Sequence, residues 1–569
     1  MCGICGKIFF EKGVSVDPKV LRIMTDALNH RGPDDEGMYI SQQVGLGHKR
    51  LSIIDLNVGK QPISNENGTV WVVYNGEIYN YKELRVSLLS EGHIFKTETD
   101  TEVIVHLYEK YGEECVSRLR GMFSFALWDE RAQFLLLARD RVGIKPLYYS
   151  LTRNSLVFAS EIKAILADPS VKSEVNIPVI DRFLTYFYTP GQETMFKNIS
   201  KLRPGHFLTL KNGKVDLRRY WDLHYTNVPP AQNCGDAVAK FQDLLRNVVQ
   251  EHMVSDVPVG VLLSGGIDST ALLSLAVEGS QREISTFTIG FDGKNLSDER
   301  TYAKLAAKQF GTKHYDMTIT SDQFRDFIPK YIWHMEEPVC EPPAIALYYI
   351  SKLAKEHVKV LISGEGGDEV FAGYQIYRNI KWLEQLKKIL GPLNSSVSKL
   401  VNHFSGFVGS RRLQKYSSFM TLPLESYYYS QASDRFTFFN NNYNELYSKE
   451  FRHHIHKNYS TEILRLYYRN VAGQDILNKM LYIDMNTWLP DDLLIKADKI
   501  TMANSIELRV PLLDHRVLEF GARLPTNYKI RGTHSKYILK KAFHSKVPKE
   551  ILRREKMGFP VPYEAWLRN

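Results

Sequence analysis

The chain has no apolar run near the ~18 residues that a membrane-spanning helix needs. It has little cysteine: five in 569 residues, an odd and unpatterned set that argues against a disulfide framework and for a reducing compartment. No basic segment leads into an apolar stretch at the start, so no signal peptide is expected and a cytoplasmic location is. No G-x-x-x-x-G-K-[ST] loop occurs, which removes the usual γ-phosphate clamp of kinases and motor ATPases. Internal repeats and low-complexity tracts are absent. Basic residues form no long block: the net charge is +9, and the densest pairs, Lys540-Lys541 and Arg553-Arg554, lie among apolar helical residues. A nucleic-acid footprint needs a concentrated stripe with interleaved aromatics, so neither a nucleic acid nor a membrane is expected as partner. The basic excess is read as solvated surface, plus some cations facing phosphate or carboxylate ligands.

What is present is an ordinary globular composition, 44% hydrophobic and 24% charged, in a chain too long for one core. Two domains are expected, at 1–215 and 236–569, with a polar, turn-rich linker at 216–235. The first reads as short strands with tight turns and a few helices, an α+β pattern of antiparallel sheets. Asp17-Pro18 starts a helix. Thr69 to Tyr74 is a strand ending at Asn75-Gly76, a hairpin-turn pair, and Asn80 with Glu83 resembles a capping box. The second part alternates strand and helix from Val257 to Ile362, which implies a parallel, doubly wound sheet. Residues 376–490 read as helical.

Cys2 is the first chemical signal. Removal of Met1 would place a thiol and a free α-amine on one residue. The amine has an ordinary pKa of about 7.7–8.0, and the thiol, near 8.5, needs modest depression to ionise. Nucleophile and base then come as one unit. Alternative readings of Cys2-x-x-Cys5 are half a metal site, a redox pair, or a cysteine of no consequence. The scattered Cys115, Cys234 and Cys340 supply no second pair for zinc.

Two glycine-rich loops follow predicted strands: Ser264-Gly265-Gly266-Ile267-Asp268-Ser269 and Ser363-Gly364-Glu365-Gly366-Gly367-Asp368-Glu369. Glycines let a backbone approach phosphate, and a helix N-terminus adds amides and a favourable dipole. An aspartate in each loop fits a phosphate site only with a divalent cation between them. Without the loop lysine, the pair suits attack at the α-phosphorus, with pyrophosphate as the leaving group. The alternative is glycine for tight strand–helix packing. Lys496, Lys499, Glu507 and Arg509 form a charged segment with apolar neighbours, either partly buried cations or a face snorkelling to solvent.

Several segments of the first half resemble the class II glutamine amidotransferase domain: Cys2-Gly3-Ile4, His30-Arg31-Gly32-Pro33-Asp34, His48-Lys49-Arg50-Leu51-Ser52-Ile53, Asn75-Gly76-Glu77-Ile78-Tyr79-Asn80, Arg139-Asp140-Arg141 and Gly143 to Leu147. The two glycine-rich loops resemble the synthetase half of glutamine-hydrolysing asparagine synthetases. The resemblance covers nearly the whole chain in order. It implies an αββα sandwich of the N-terminal-nucleophile hydrolase type, followed by a PP-loop type α/β domain with a large helical region. It implies that Cys2 attacks the glutamine amide, with Asn75 and the Gly76 amide as oxyanion hole. Arg50 would hold the glutamine carboxylate, Glu77 and Asp100 its α-amine, and Leu51, Ser52, Ile53 and Ile54 would complete its site. Leu262, Ser264, Gly265, Gly266, Asp268, Ser269, Ile289, Ser363 and Gly364 would contact ATP, Asp268 and Asp368 would hold Mg2+, Glu365 would sit near the reacting carboxylate, and Lys499 would be the catalytic lysine. Ammonia would pass between the sites through an internal tunnel.

Glu336 to Pro343 is expected to shape the acceptor pocket, with Lys496 among the cations that could close it. The implied reaction is ATP-dependent amide synthesis with glutamine as nitrogen donor and aspartate as the simplest acceptor. Alternatives are the same chemistry on a sugar, uronic acid or peptide carboxylate, or a non-catalytic ATP-binding scaffold. A homodimer is left open.

Overall fold

The computed structural model describes residues 2–226, 233–292, 298–340, 343–456, 458–554 and 561–568. Among these, no helix is long and apolar enough to cross a membrane.

The first half is two stacked antiparallel sheets. One runs Ile199–Lys201, Tyr148–Leu151, Ser155–Ala159, Gly3–Phe9, Val44–Arg50, Asp35–Ser41 in spatial order. The other runs Lys214–Arg219, His206–Lys211, Phe134–Arg139, Gly121–Asp129, Val70–Ile78, Ile63–Ser64. Strand alternation sets the layers. Ile4 and Ile8 join Val73, Ala126, Trp128 and Leu137 between the sheets, while Cys5 packs outward with Leu21 and Met24 of the helix Pro18–Asp26. Asp17 caps that helix, accepting from the Lys19 amide at 2.8 Å. On the other outer face, Val103 and Val105 of the helix Glu102–Tyr111 pack with Val72 and Tyr74. This is the expected αββα sandwich.

Three local expectations fail. The Thr69–Tyr74 strand does not turn at Asn75-Gly76: it runs as Val70–Ile78, with Asn75 opposite Ser124 and Gly76 opposite Phe123. Glycine is required by closeness, because a Cβ at Gly76 would lie 2.1 Å from the Met122 carbonyl oxygen. Asn80 forms no capping box; its carboxamide donates to the Arg118 carbonyl at 3.1 Å and accepts from the Arg120 amide at 2.8 Å. The first unit also continues past 215, since Lys214–Arg219 pairs with His206–Lys211, and the next helix, Cys234–His252, starts inside the expected linker. Linker residues 227–232 lie outside the described residues.

The second half carries a fully parallel sheet in the order Lys313–Ile319, Ser285–Phe291, Val259–Leu262, Val360–Ile362, Glu507–Arg509. The chain departs from Val259–Leu262 to one side and returns on the other at Val360–Ile362. Their C-terminal ends are therefore neighbours at a topological switch point, where open α/β sheets bind ligands. From Gln375 to Met502 the elements are helical, as expected, including a π-helical stretch at Leu489–Leu494. Lys496 and Lys499 are buried on the helix Ile495–Met502, so they do not snorkel to solvent.

The two halves meet through buried charge. Arg31 donates to Asp498 at 2.7 Å and to Glu161 at 2.8 Å, and Lys145 lies 3.5 Å from Asp498. Lys201 pairs with Asp491 at 2.9 Å, and Arg509 with Glu77 at 3.1 Å.

Candidate active sites

Cys2 sits at the head of the strand Gly3–Phe9, buried, with its backbone nitrogen 3.0 Å from Asn75 Oδ1. Its thiol is pushed up by burial and pulled back by a hydrogen bond from the Leu51 amide and the charge of Arg50. All five cysteines are free, and Cys5 faces Thr25 Oγ1 at 3.4 Å under a helix, so Cys2 and Cys5 form no pair. Asn75 Nδ2 lies 3.4 Å from Ser124 Oγ on the adjoining strand. Arg50 is fixed by the carbonyl oxygens of Ile54 and Asp55, at 3.1 and 2.5 Å. Leu51, Ser52, Ile53 and Ile54 form the buried loop between, and the Ser52 amide donates to Asp34 at 2.9 Å.

The acids of this site are under-compensated. Asp100 is not the cap of the next helix. Its carboxylate accepts from the Tyr74 hydroxyl and the Ile78 amide, both at 2.9 Å, which brings it to the strand that carries Glu77. Glu77, Asp100 and Glu507 are buried and share the field of the Arg509 guanidinium. Burial pushes Glu77 well above the usual carboxylate range and Asp100 up to about 6. Burial alone would raise Glu507 too, but the contact with Arg509 Nε at 2.6 Å holds it low. Arg509 and, at Glu507, Lys145 are the side-chain cations that face these acids, and a ligand ammonium beside Glu77 and Asp100 would complement them. With Arg50 nearby for a carboxylate, the arrangement suits a zwitterion.

A cavity of about 640 Å³ lies over the switch point. Leu262, Ser264, Gly266, Asp268, Ser269, Ile289, Ser363, Gly364, Glu365 and Asp368 line it. Gly265 does not. It holds φ +66°, and a Cβ there would meet Tyr302 Cβ at 2.6 Å, so it serves the turn and its packing. The glycines also fit the two loops together: a Cβ at Gly364 would lie 3.0 Å from Asp268 Cβ, and one at Gly367 2.7 Å from Asp268 Oδ1. Tight packing is thus one reason for the glycines, and Gly266, Gly364 and Gly366 also line the cavity.

Asp268 and Asp368 converge on Lys536, whose ammonium contacts Asp268 and lies 2.7 Å from Asp368 Oδ1. Buried Asp268 Oδ1 has no hydrogen-bond partner among the described residues. Two carboxylates aimed at one cationic point, with an oxygen to spare, fit a hard divalent ion such as Mg2+. Lys536 holds φ +52°, an uncommon conformation for a residue with a side chain.

Two expectations are corrected here. Lys499 does not reach the cavity. It is fully buried between halves, bound to the Met335 carbonyl at 2.9 Å and to Glu336, whereas Lys496 lines the cavity. The segment from Glu336 does not bring its first acids to an acceptor pocket: Glu336 accepts from the Ile162 and Lys163 amides at 3.0 and 2.6 Å, and Glu337 from the Met195 amide at 2.8 Å. Pro343 lines the cavity, and Glu341 and Pro342 lie outside the described residues. Sequence reading also missed Arg378, Glu369 and Lys536, and took Lys540, Arg553 and Arg554 largely for surface, although all six line the cavity. Burial raises Glu369 to about 7. The basic pairs set in an apolar context were the available signal.

The sequence profile of the glutamine amidotransferase domain matches residues 1–221, and that of asparagine synthase residues 240–569. "Asparagine synthetase [glutamine-hydrolyzing] 1" of Bacillus subtilis (strain 168) is 36% identical over 580 residues, covering 100% of this chain and 88% of that protein. "Asparagine synthetase [glutamine-hydrolyzing] 3" of the same organism is 30% identical over 98% of this chain and 87% of its own length. "Amidase chyE" of Penicillium rubens (strain ATCC 28089 / DSM 1075 / NRRL 1951 / Wisconsin 54-1255) is 28% identical, over 95% of this chain and 84% of its own. Matched in both halves and along its whole length, this chain belongs to the glutamine-hydrolysing asparagine synthetase family, ATP-dependent ligases that take amide nitrogen from glutamine.

Proposed function

We propose that this enzyme converts aspartate, glutamine, ATP and water to asparagine, glutamate, AMP and diphosphate, through β-aspartyl-AMP and internal transfer of ammonia. Cys2 attacks the side-chain amide of glutamine, and its own α-amine, once Met1 is removed, takes up the thiol proton. The Asn75 carboxamide and Gly76 amide meet the oxyanion. Arg50 holds the substrate carboxylate, and Glu77 with Asp100 its ammonium, which supplies the charge their burial demands. Ammonia leaves, and water releases glutamate from the thioester.

In the second half the acceptor carboxylate attacks the α-phosphorus of ATP and diphosphate departs. Ammonia then attacks the acyl carbon and AMP departs. Lys496, Lys536 and Lys540 supply positive charge where negative charge develops. Magnesium, when bound, would be held by Asp268 and Asp368 and would neutralise phosphate oxygens. Arg378 and Lys496, with Glu365 and Glu369, give one cavity both the cations and the acids that aspartate requires.

The observation that carries this reading is the pair of interlocked glycine-rich loops, closing two aspartates over neighbouring parallel strand ends. The test is acceptor-dependent exchange of labelled diphosphate into ATP. Aspartate should support it, and ADP as the stoichiometric product would overturn the mechanism. Cys2→Ala should abolish synthesis from glutamine and spare synthesis from free ammonia. A second reading keeps the chemistry and takes a sugar, uronic acid or peptide carboxylate. The engagement of Glu336 and Glu337 at the interface favours it, and exchange with such an acceptor but not with aspartate would decide for it.

A further inference from the structure

A second cluster of chemistry-bearing side chains lies in the amidotransferase half, away from both sites. Glu66 comes from the turn before the strand Val70–Ile78, and His93 from the loop after the helix Tyr81–Ser90. His106 and Glu109 stand one turn apart on the helix Glu102–Tyr111. One donor atom from each, Glu66 Oε1, His93 Nδ1, His106 Nδ1 and Glu109 Oε2, falls within a space where all four lie within 4.8 Å of one another.

The spacing is that of a coordination shell. His106 Nδ1 is 3.1 Å from Glu109 Oε2 and 3.6 Å from Glu66 Oε1, and His93 Nδ1 is 3.6 Å from each carboxylate. Ligand atoms at the corners of a tetrahedron around zinc, with bonds of about 2.0–2.1 Å, stand roughly 3.3–3.4 Å apart. Four edges of the figure are therefore within a few tenths of an ångström of a zinc site.

The surroundings orient the donors. Asn65 Nδ2 holds the other oxygen of Glu109 at 2.7 Å, and the Ile94 amide donates to Glu66 Oε1 at 2.9 Å. The His106 ring is fully buried, and its far nitrogen, Nε2, has no hydrogen-bond partner among the described residues and faces Glu102 Oε1 at 3.8 Å. Glu102 is itself fixed by the Lys96 and Thr97 amides, at 2.8 and 2.7 Å. Glu102 is thus held on the far side of His106, and closing the 3.8 Å gap to Nε2 would complete the carboxylate–histidine–metal arrangement that sets the tautomer of a ligating imidazole.

We propose that Glu66, His93, His106 and Glu109 form a structural site for a divalent transition metal, zinc by donor set and spacing. Four protein ligands leave no open position, so the metal staples rather than reacts. The stapled segment between His93 and His106 contains Asp100. Metal loss should therefore loosen glutamine binding and leave the synthetase half untouched.

The test uses the full-length enzyme, purified without chelator and dialysed against excess Mg2+. Metal analysis should find one zinc per chain, retained in Asp268→Asn and lost in His93→Gln and in Glu66→Gln, both partly exposed positions chosen to preserve folding. Cobalt in place of zinc should show the intense visible bands of a tetrahedral ion, absent from His93→Gln. Glu102→Gln should weaken zinc binding by about 10–100-fold. The variants should raise KM for glutamine and leave ammonia-dependent synthesis at the parent rate. Substoichiometric zinc, zinc unaffected by His93→Gln, or an octahedral cobalt spectrum would overturn the proposal.

Discussion

Replacing Arg509 by methionine should open the seam between the two active sites. Arg509 is fully buried: Nε donates to Glu507 at 2.6 Å, Nη1 donates to the carbonyls of His252 and Val254 at 2.7 and 2.6 Å, and Nη2 lies 3.1 Å from Glu77 as an ion-pair contact. Methionine fills much of the volume but leaves two buried carboxylates without their cation. Breaking a buried pair by removing one partner costs about 3–5 kcal/mol.

A second route gives a similar ceiling. Glu507, held low in the parent, can escape by taking a proton, and from a reference pKa of about 4.3 this costs roughly 4.4 kcal/mol at pH 7.5, at about 1.36 kcal/mol per unit. The assay is hydrogen exchange on the amides of Asn75 to Ile78 and Glu507 to Arg509. A loss near 4 kcal/mol predicts roughly 1,000-fold less protection at pH 7.5. The variant raises the folded-state pKa of Glu507, held low in the parent, above the unfolded value and lifts Glu77, already above it, further. The stability they contribute is then fully present below about pH 4.3 and lost as pH rises through the raised values. The deficit should shrink steadily as pH falls from 8 toward 5. Protection within threefold of the parent, or a deficit equal at both ends of that range, would refute the reasoning.

Gly76→Ala should abolish glutamine hydrolysis while ammonia-dependent synthesis survives, because the added Cβ would lie 2.1 Å from the Met122 carbonyl oxygen and spread the strands beside Asn75; steady-state assays with each nitrogen source check it. Lys496→Met should lower diphosphate exchange by at least a hundredfold, whereas Lys499→Met should leave exchange within a few-fold and impair coupling of glutamine hydrolysis to synthesis; the reverse pattern would restore Lys499 as the catalytic lysine. Burial raises both Glu369 and Asp484 to about 7, with Asp484 also accepting from the Tyr377 and Tyr428 hydroxyls. Their folded values exceed the unfolded ones, so the stability they add below about pH 4 is lost as pH rises through 7. The midpoint of thermal inactivation should fall between pH 6 and 8, and Asp484→Asn should flatten that slope.

The sequence by itself determined the division into two units, the αββα and parallel α/β classes, and the two glycine-rich loops. These are local matters. Periodicity sets an element, a capping residue starts it, and glycine followed by an acid marks a phosphate turn. Through the resemblance of their short motifs to a family, it also pointed to Cys2, Arg50, Asn75, Glu77 and Asp100 as one candidate site. Tertiary structure alone decided which charges face a ligand and which are consumed by the fold. Lys496 and Lys499 are three residues apart on one helix, yet one lines the cavity and the other is locked to Glu336. Glu336 reads as a pocket acid and is an interface acceptor. Gly76 reads as a turn and is a point of close approach between strands. Lys536 sits between Asp268 and Asp368 although 168 residues separate it from the nearer of them in sequence. The physical reason is common to all four: a charge or a missing Cβ takes its meaning from what packs against it, and those partners come from elements far away in the chain.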